Sequence, residues 1–181
     1  MKIRLAANLQ EDSIVDGQGI RTVIWTQGCS HNCPFCHNPS THDFKGGELV
    51  DLVDVISALE NLSGQDGVTF SGGDPMFQPK ACSILAKKVH ELGMNVWAYT
   101  GFTFEELIKS TNKDILDFLN EIDVLIDGKF EIEKKSMDLE FRGSSNQRII
   151  DVPKSLERKK VVLYNLNNNI EKIIKKETIY I

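Results

Sequence analysis

Short apolar runs alternate along this chain with segments whose apolar residues recur at helical spacing. Thr22-Val23-Ile24-Trp25-Thr26 is β-branched and aromatic and predicts a strand. Gly67-Val68-Thr69-Phe70 predicts a second, Asn95-Val96-Trp97-Ala98-Tyr99 a third and Ile122-Asp123-Val124-Leu125-Ile126 a fourth. Two further β-rich runs cover 148–152 and 160–164. Between them, Leu49, Leu52, Val53, Ile56 and Leu59 share one helical face and predict a helix over 49–62, with Gly64 beyond its end. Ala81, Ile84, Leu85, Val89 and Leu92 predict another over 80–92, stopped by Gly93. Thr103 and Glu106 have the spacing of a capping box ahead of a short helix. An Asn-rich loop over 165–169 leads to a last short helix.

Strands alternating with helices predict an α/β fold built from βα units around a parallel sheet. No repeat, low-complexity tract or linker divides the chain, so 1–181 reads as a single domain. The polar clusters fall at the C-terminal ends of successive strands: the cysteine loop, Ser71-Gly72-Gly73-Asp74-Pro75, Thr100-Gly101 and Asp127-Gly128-Lys129. In βα barrels and open α/β sheets that edge binds ligands.

Composition narrows the setting. No run approaches the roughly 20 apolar residues of a membrane span. Met1-Lys2-Ile3-Arg4 leads into no apolar run of the signal-peptide kind. The expected location is the cytoplasm, with no membrane partner. A net charge of −5 argues against a sequence-independent grip on nucleic acid. From Asp151 onward seven Lys and Arg outnumber four Asp and Glu, so that tail is +3 and the first 150 residues are −8. The tail reads as solvated surface, with a docking patch for an acidic partner as the alternative.

Three of the four cysteines crowd into one loop as C-x3-C-x2-C: Cys29, Cys33 and Cys36. Neighbours this close make a poor disulfide framework, and clustered cytosolic cysteines bind metal. The spacing lets three thiolates converge on one iron–sulfur core, leaving one iron open for a substrate. A zinc site completed by His31 or His37 is the competing reading. Cys82, on a predicted helix, reads as a small buried hydrophobe.

The cysteine triplet, with Phe35 just before its last member, resembles the signature of the radical S-adenosylmethionine (SAM) superfamily. Asp16-Gly17-Gln18-Gly19-Ile20-Arg21 and Cys36-His37-Asn38-Pro39 resemble the glycyl-radical activating enzymes. Within that group, the segments 97–102, 126–130 and 141–148 resemble the branch that acts on anaerobic ribonucleoside-triphosphate reductases. The likeness runs from about Val15 to Val152. It implies an incomplete, open βα barrel with a mostly parallel sheet, and one 4Fe–4S cluster per chain on Cys29, Cys33 and Cys36. SAM is the second implied cofactor, cleaved reductively to methionine and a 5′-deoxyadenosyl radical. That radical would take hydrogen from a glycine of the reductase catalytic subunit, with electrons from a flavodoxin-like donor.

The same resemblance implies the SAM contacts. Phe35, Cys36 and His37 would frame the adenine, and Gly72, Gly73 and Asp74 would meet the amino group, although the superfamily usually has Glu where Asp74 stands. Read without the family, Gly-Gly-Asp-Pro is good turn chemistry. Asp127 and Lys129 project to one side if their strand continues. A carboxylate there suits a ribose diol and an ammonium suits the methionine carboxylate, whereas the plain reading is a surface charge pair. Thr100 is a further candidate for this pocket. The alternatives are another radical SAM enzyme, either a different glycyl-radical activator or a deazaguanine-forming synthase, and a zinc-binding module without redox chemistry.

Overall fold

The β-branched run Arg21–Thr26 (β3) is buried along nearly its whole length and occupies the centre of an eight-stranded sheet. A computed structural model describes residues 1–167 of the chain. Two short strands, Lys2–Leu5 (β1) and Gln10–Ser13 (β2), precede β3, and Glu48–Asp51 (β4) and helix Leu52–Glu60 (α1) follow it. Gly67–Gly72 (β5), helix Pro79–Glu91 (α2), Asn95–Tyr99 (β6), helices Phe104–Leu107 (α3) and Lys113–Asn120 (α4), and Val124–Asp127 (β7) come next. Arg148–Asp151 (β8) and helix Val152–Arg158 (α5) close the series.

The sheet order is β4-β1-β3-β5-β6-β7-β8, with β2 also on β3. The centre, β3-β5-β6-β7, is parallel. Both flanks are antiparallel: β8 on β7, and β1, β2 and β4 on the other side. The expected parallel sheet is therefore a parallel centre with antiparallel edges, and the sheet is open.

Strand alternation sends Val68, Phe70, Val96, Ala98 and Leu125 into the main core, where α1, α2 and α4 contribute Leu59, Leu85, Val89 and Phe118. The opposite face carries a smaller cluster of Trp97, Val124, Ile126 and Ile149. Arg21 is fully buried on that side, its guanidinium 5.1 Å from the centre of the Trp97 ring. It donates to Thr69 Oγ1, Asn95 Oδ1 and the carbonyls of Gln18 and Val68, which satisfy a cation buried without a carboxylate against it.

Four expectations need correction. The helix placed over 49–62 begins only at Leu52, because 48–51 pair with β1 and cover an edge that would otherwise be open. Its buried residues are Leu52, Val55 and Leu59, while Leu49 and Val53 are exposed. On α2, Ile84 and Leu92 stay partly exposed, and Cys82, Ser83 and Ala86 are buried beside Ala81, Leu85 and Val89. The run 160–164 is not a strand: Val162 N donates to Ser155 Oγ at 2.8 Å, leaving one bridge between Ile150 and Leu163. The strands 95–99 and 148–151 and the Thr103–Glu106 capping box form as expected. The final helix and residues 168–169 of the Asn-rich loop lie outside the described residues. No described helix is long and apolar enough to cross a membrane.

Candidate iron–sulfur and SAM site

The chain leaves β3 through Gly28 at φ +104 and enters the cysteine loop. Asn32 and Phe35, each just ahead of a cysteine, sit in the left-handed region at φ 51 and 56. Asn tolerates this conformation, whereas for a bulky Phe it is strained, and such strain collects where function needs it. The two turns bring Cys29, Cys33 and Cys36 to the wall of one cavity of about 130 Å³. Cys36 Sγ accepts a hydrogen bond from the backbone N–H of Asn38 at 3.4 Å. Backbone donors aimed at ligand sulfurs are among the devices that tune iron–sulfur centres.

Among the described residues, no three His, Cys, Asp or Glu side chains lie close enough to hold a single metal ion. A cubane takes one thiolate per iron, so its ligands surround a core instead of meeting at one point. The cavity, the thiols on it and the donor to sulfur fit such a core. Cys29 is buried, which pushes its thiol up to about 11. Bound iron would reverse that preference and displace the proton. Cys82 is fully buried against the main core and away from this cavity, and burial pushes its thiol far up.

The strand ends complete the wall. Gly72 and Gly73 line the cavity, and neither tolerates a side chain. A Cβ on Gly73 would come within 2.5 Å of the Gly28 carbonyl oxygen, and one on Gly72, at φ +100, within 2.4 Å of that of Thr26. Lys129, Thr100, Cys36 and His37 are on the same wall. Lys129 is exposed and forms no salt bridge among the described residues. Phe35 stands 78% exposed at the outer side of the loop, and the His37 ring packs 4.5 Å from that of Phe130.

Two expected ligands are placed differently. Asp127 is 1% exposed and does not line the cavity, because both carboxylate oxygens are committed. Its Oδ1 accepts from Arg148 Nε at 3.0 Å, and its Oδ2 accepts from Arg148 and from Phe104 N at 2.8 Å. Gly128, at φ +93, ends the strand, so Lys129 is not on one side with Asp127 through a continuing strand. Asp74 is likewise 1% exposed, with its carboxylate bonded to Met76 N, Thr100 Oγ1, Gly101 N and His31. Thr100 reaches the cavity wall but spends its hydroxyl proton on Asp74.

His31 and Arg148, the partners that bind these carboxylates, were not recognisable as such from the sequence. The available signal was a general one: an acid at the end of a buried strand must find donors. Gln147 is a third such residue. Its side chain accepts from Gly143 N and Ser144 N and donates to Gly128 O, pinning together the two ends of the segment 128–147. Beneath that segment lies an open groove of about 640 Å³, lined in part by Ile14, Val15, Asp16, Trp25, Phe141 and Arg142. Groove and thiol cavity share His37, Asn38, Ser71, Tyr99, Phe130 and Gln147, so the two lie side by side.

Residues 15–150 match the family model described as a 4Fe-4S single cluster domain, which defines the class: a protein with one four-iron centre. Among curated proteins, the chain is 37% identical over 142 residues to the anaerobic ribonucleoside-triphosphate reductase-activating protein of Salmonella typhi, covering 74% of this chain and 90% of that one. The proteins of the same name from Escherichia coli K12 and Enterobacteria phage T4 are each 34% identical, covering 74% and 75% of this chain and 90% and 86% of theirs. This chain belongs to the family of anaerobic ribonucleoside-triphosphate reductase-activating proteins. Among solved structures, QueE from Escherichia coli aligns at a TM-score of 0.47 and 15% identity, over 57% of this chain and 54% of that one.

Proposed function

We propose that this chain activates an anaerobic ribonucleoside-triphosphate reductase by generating a radical on a glycine of its catalytic subunit. The observation that carries the reading is the adjacency of two spaces. The cavity bearing Cys29, Cys33 and Cys36 adjoins, at His37 and Phe130, a groove with room for a loop of another protein. Bound there, a 4Fe–4S cluster and SAM supply one-electron cleavage of a sulfur–carbon bond and the hydrogen-abstracting radical that results.

The chain's residues bind, orient and shield. Cys29, Cys33 and Cys36 would hold the cluster with three thiolates, one fewer than it has irons, which would leave a place for SAM. Lys129 supplies a cation for the methionine carboxylate, and the backbone of Gly72 and Gly73 allows close approach. Cys36 and His37 frame the adenine from the cavity wall, and Phe35, its ring turned outward, does so through its backbone. Asp127 serves indirectly: through Phe104 N and Arg148 it fixes the turn that presents Thr100 and Lys129. The segment pinned by Gln147 keeps bulk water from the radical. A glycine suits such a site as target, because backbone without a side chain reaches into a narrow cavity. The four parallel strands and the helices on one face support an incomplete βα barrel of the radical SAM type. A flavodoxin-like donor provides the electron, in a cytoplasm that keeps the thiols reduced.

The test is to mix anaerobically reconstituted protein, SAM, a strong reductant and the reductase, and record the radical by electron paramagnetic resonance. A glycyl-type signal on the reductase is expected. SAM cleavage with no radical on the reductase would point to a different radical SAM activity.

A further inference from the structure

Asp74 stands where the family resemblance calls for an acceptor of the SAM ammonium, yet its carboxylate is buried and already bonded through both oxygens. Oδ1 accepts from Met76 N at 2.9 Å. Oδ2 accepts from Thr100 Oγ1 and Gly101 N, both at 2.9 Å, and contacts His31 Nε2 at 2.7 Å. Three donors thus crowd Oδ2 and one sits on Oδ1, and the carboxylate is 1% exposed, so it is held by the protein on both oxygens. Because the facing oxygen can only accept, His31 Nε2 is the nitrogen that carries a proton.

His31 comes from the middle of the stretch between Cys29 and Cys33, and its side chain is only 8% exposed. The ring meets that of Phe102 edge-on with centroids 4.6 Å apart, and that of Phe77 at 5.7 Å. It also lies against Gly101 so closely that a Cβ there would come within 2.5 Å of it. One residue of the cysteine loop is thus plugged into a socket made by the ends of β5 and β6, with Asp74 at its base.

From this geometry we propose that His31 is a positioning residue. With Asp74 it tethers the Cys29–Cys33 stretch to the two strand ends that cradle SAM, and so sets the distance between the open iron and the bound cofactor. Asp74 serves this tether, not the SAM ammonium. The inference rests on the radical SAM reading above.

The test uses the full chain, reconstituted anaerobically with iron and sulfide, and measures iron per chain and SAM affinity separately. His31→Ala should retain a full cluster and bind SAM about tenfold more weakly, the scale of one lost charge-assisted hydrogen bond. His31→Gln, whose amide can reach the same oxygen, should recover most of that affinity. Asp74→Ala should fall at least as far as His31→Ala, since it removes the same link together with the bonds to Met76, Thr100 and Gly101. Unchanged SAM affinity in His31→Ala with full iron overturns the proposal. So does unchanged SAM affinity in Asp74→Ala with full iron. If His31→Ala takes no iron, His31→Gln decides: a full cluster with near-normal affinity supports the tether, and no cluster overturns it. Wild-type protein that takes no iron or binds no SAM would instead remove the radical SAM reading itself.

Discussion

Arg148, on the antiparallel edge strand β8, reaches across to Asp127 at the end of β7 and also holds Glu105 with two parallel bonds of 3.0 and 2.7 Å. The carboxylate of Asp127 is buried while Arg148 is about one-third exposed. This one guanidinium ties the last parallel strand, the first turn of α3 and the edge strand together beneath the candidate SAM pocket.

Arg148→Met should therefore strand a buried charge on Asp127. Loss of one partner of a buried pair costs about 3 kcal/mol, so a clear drop in Tm is expected. Wild-type stability in that variant would show that Asp127 is satisfied without Arg148.

The pair also shapes the acid response. Hydrogen bonding to Arg148 holds the Glu105 carboxyl below its usual range. A group whose folded pKa is depressed contributes stability that is present above its unfolded pKa and is lost as pH falls through the folded value. Denaturant titrations from pH 6 down to about pH 3 should show wild type losing more stability than Arg148→Met. Parallel curves would remove Glu105 from this linkage.

How much of this was legible in the sequence follows from the range of the interactions. The strands 22–26 and 95–99 and the cysteine loop are set by neighbouring residues, and their types and limits were readable to within a residue or two. What Asp74 and Asp127 do was not, because their partners lie far along the chain: Thr100 and Gly101 for one, Arg148 for the other. Both carboxylates look free for a ligand until tertiary packing brings donors to them. The helix placed over 49–62 forms from Leu52, and its start was misread for a related reason, since only the edge of β1 explains why residues 49–51 are strand.

Cysteine replacements separate ligands from core. Cys29→Ala, Cys33→Ala and Cys36→Ala should each abolish the brown iron–sulfur chromophore. Cys82→Ala should keep full iron and lose about 1 kcal/mol of stability for a small core cavity. Normal iron content in Cys33→Ala would sink the three-cysteine assignment.

Lys129 has no competing salt bridge among the described residues, so its role is open to a direct check. Lys129→Ala should keep its iron and bind SAM about tenfold more weakly, measured by calorimetry on the reconstituted protein. Equal affinity would take Lys129 out of the site.

The most direct test of the account is the electron paramagnetic resonance spectrum of the reduced, reconstituted protein with and without SAM. A cluster held by Cys29, Cys33 and Cys36 with one iron open predicts a reduced-cluster signal whose g-values change when SAM is added. A spectrum indifferent to SAM, or a protein that takes zinc and refuses iron, would contradict it.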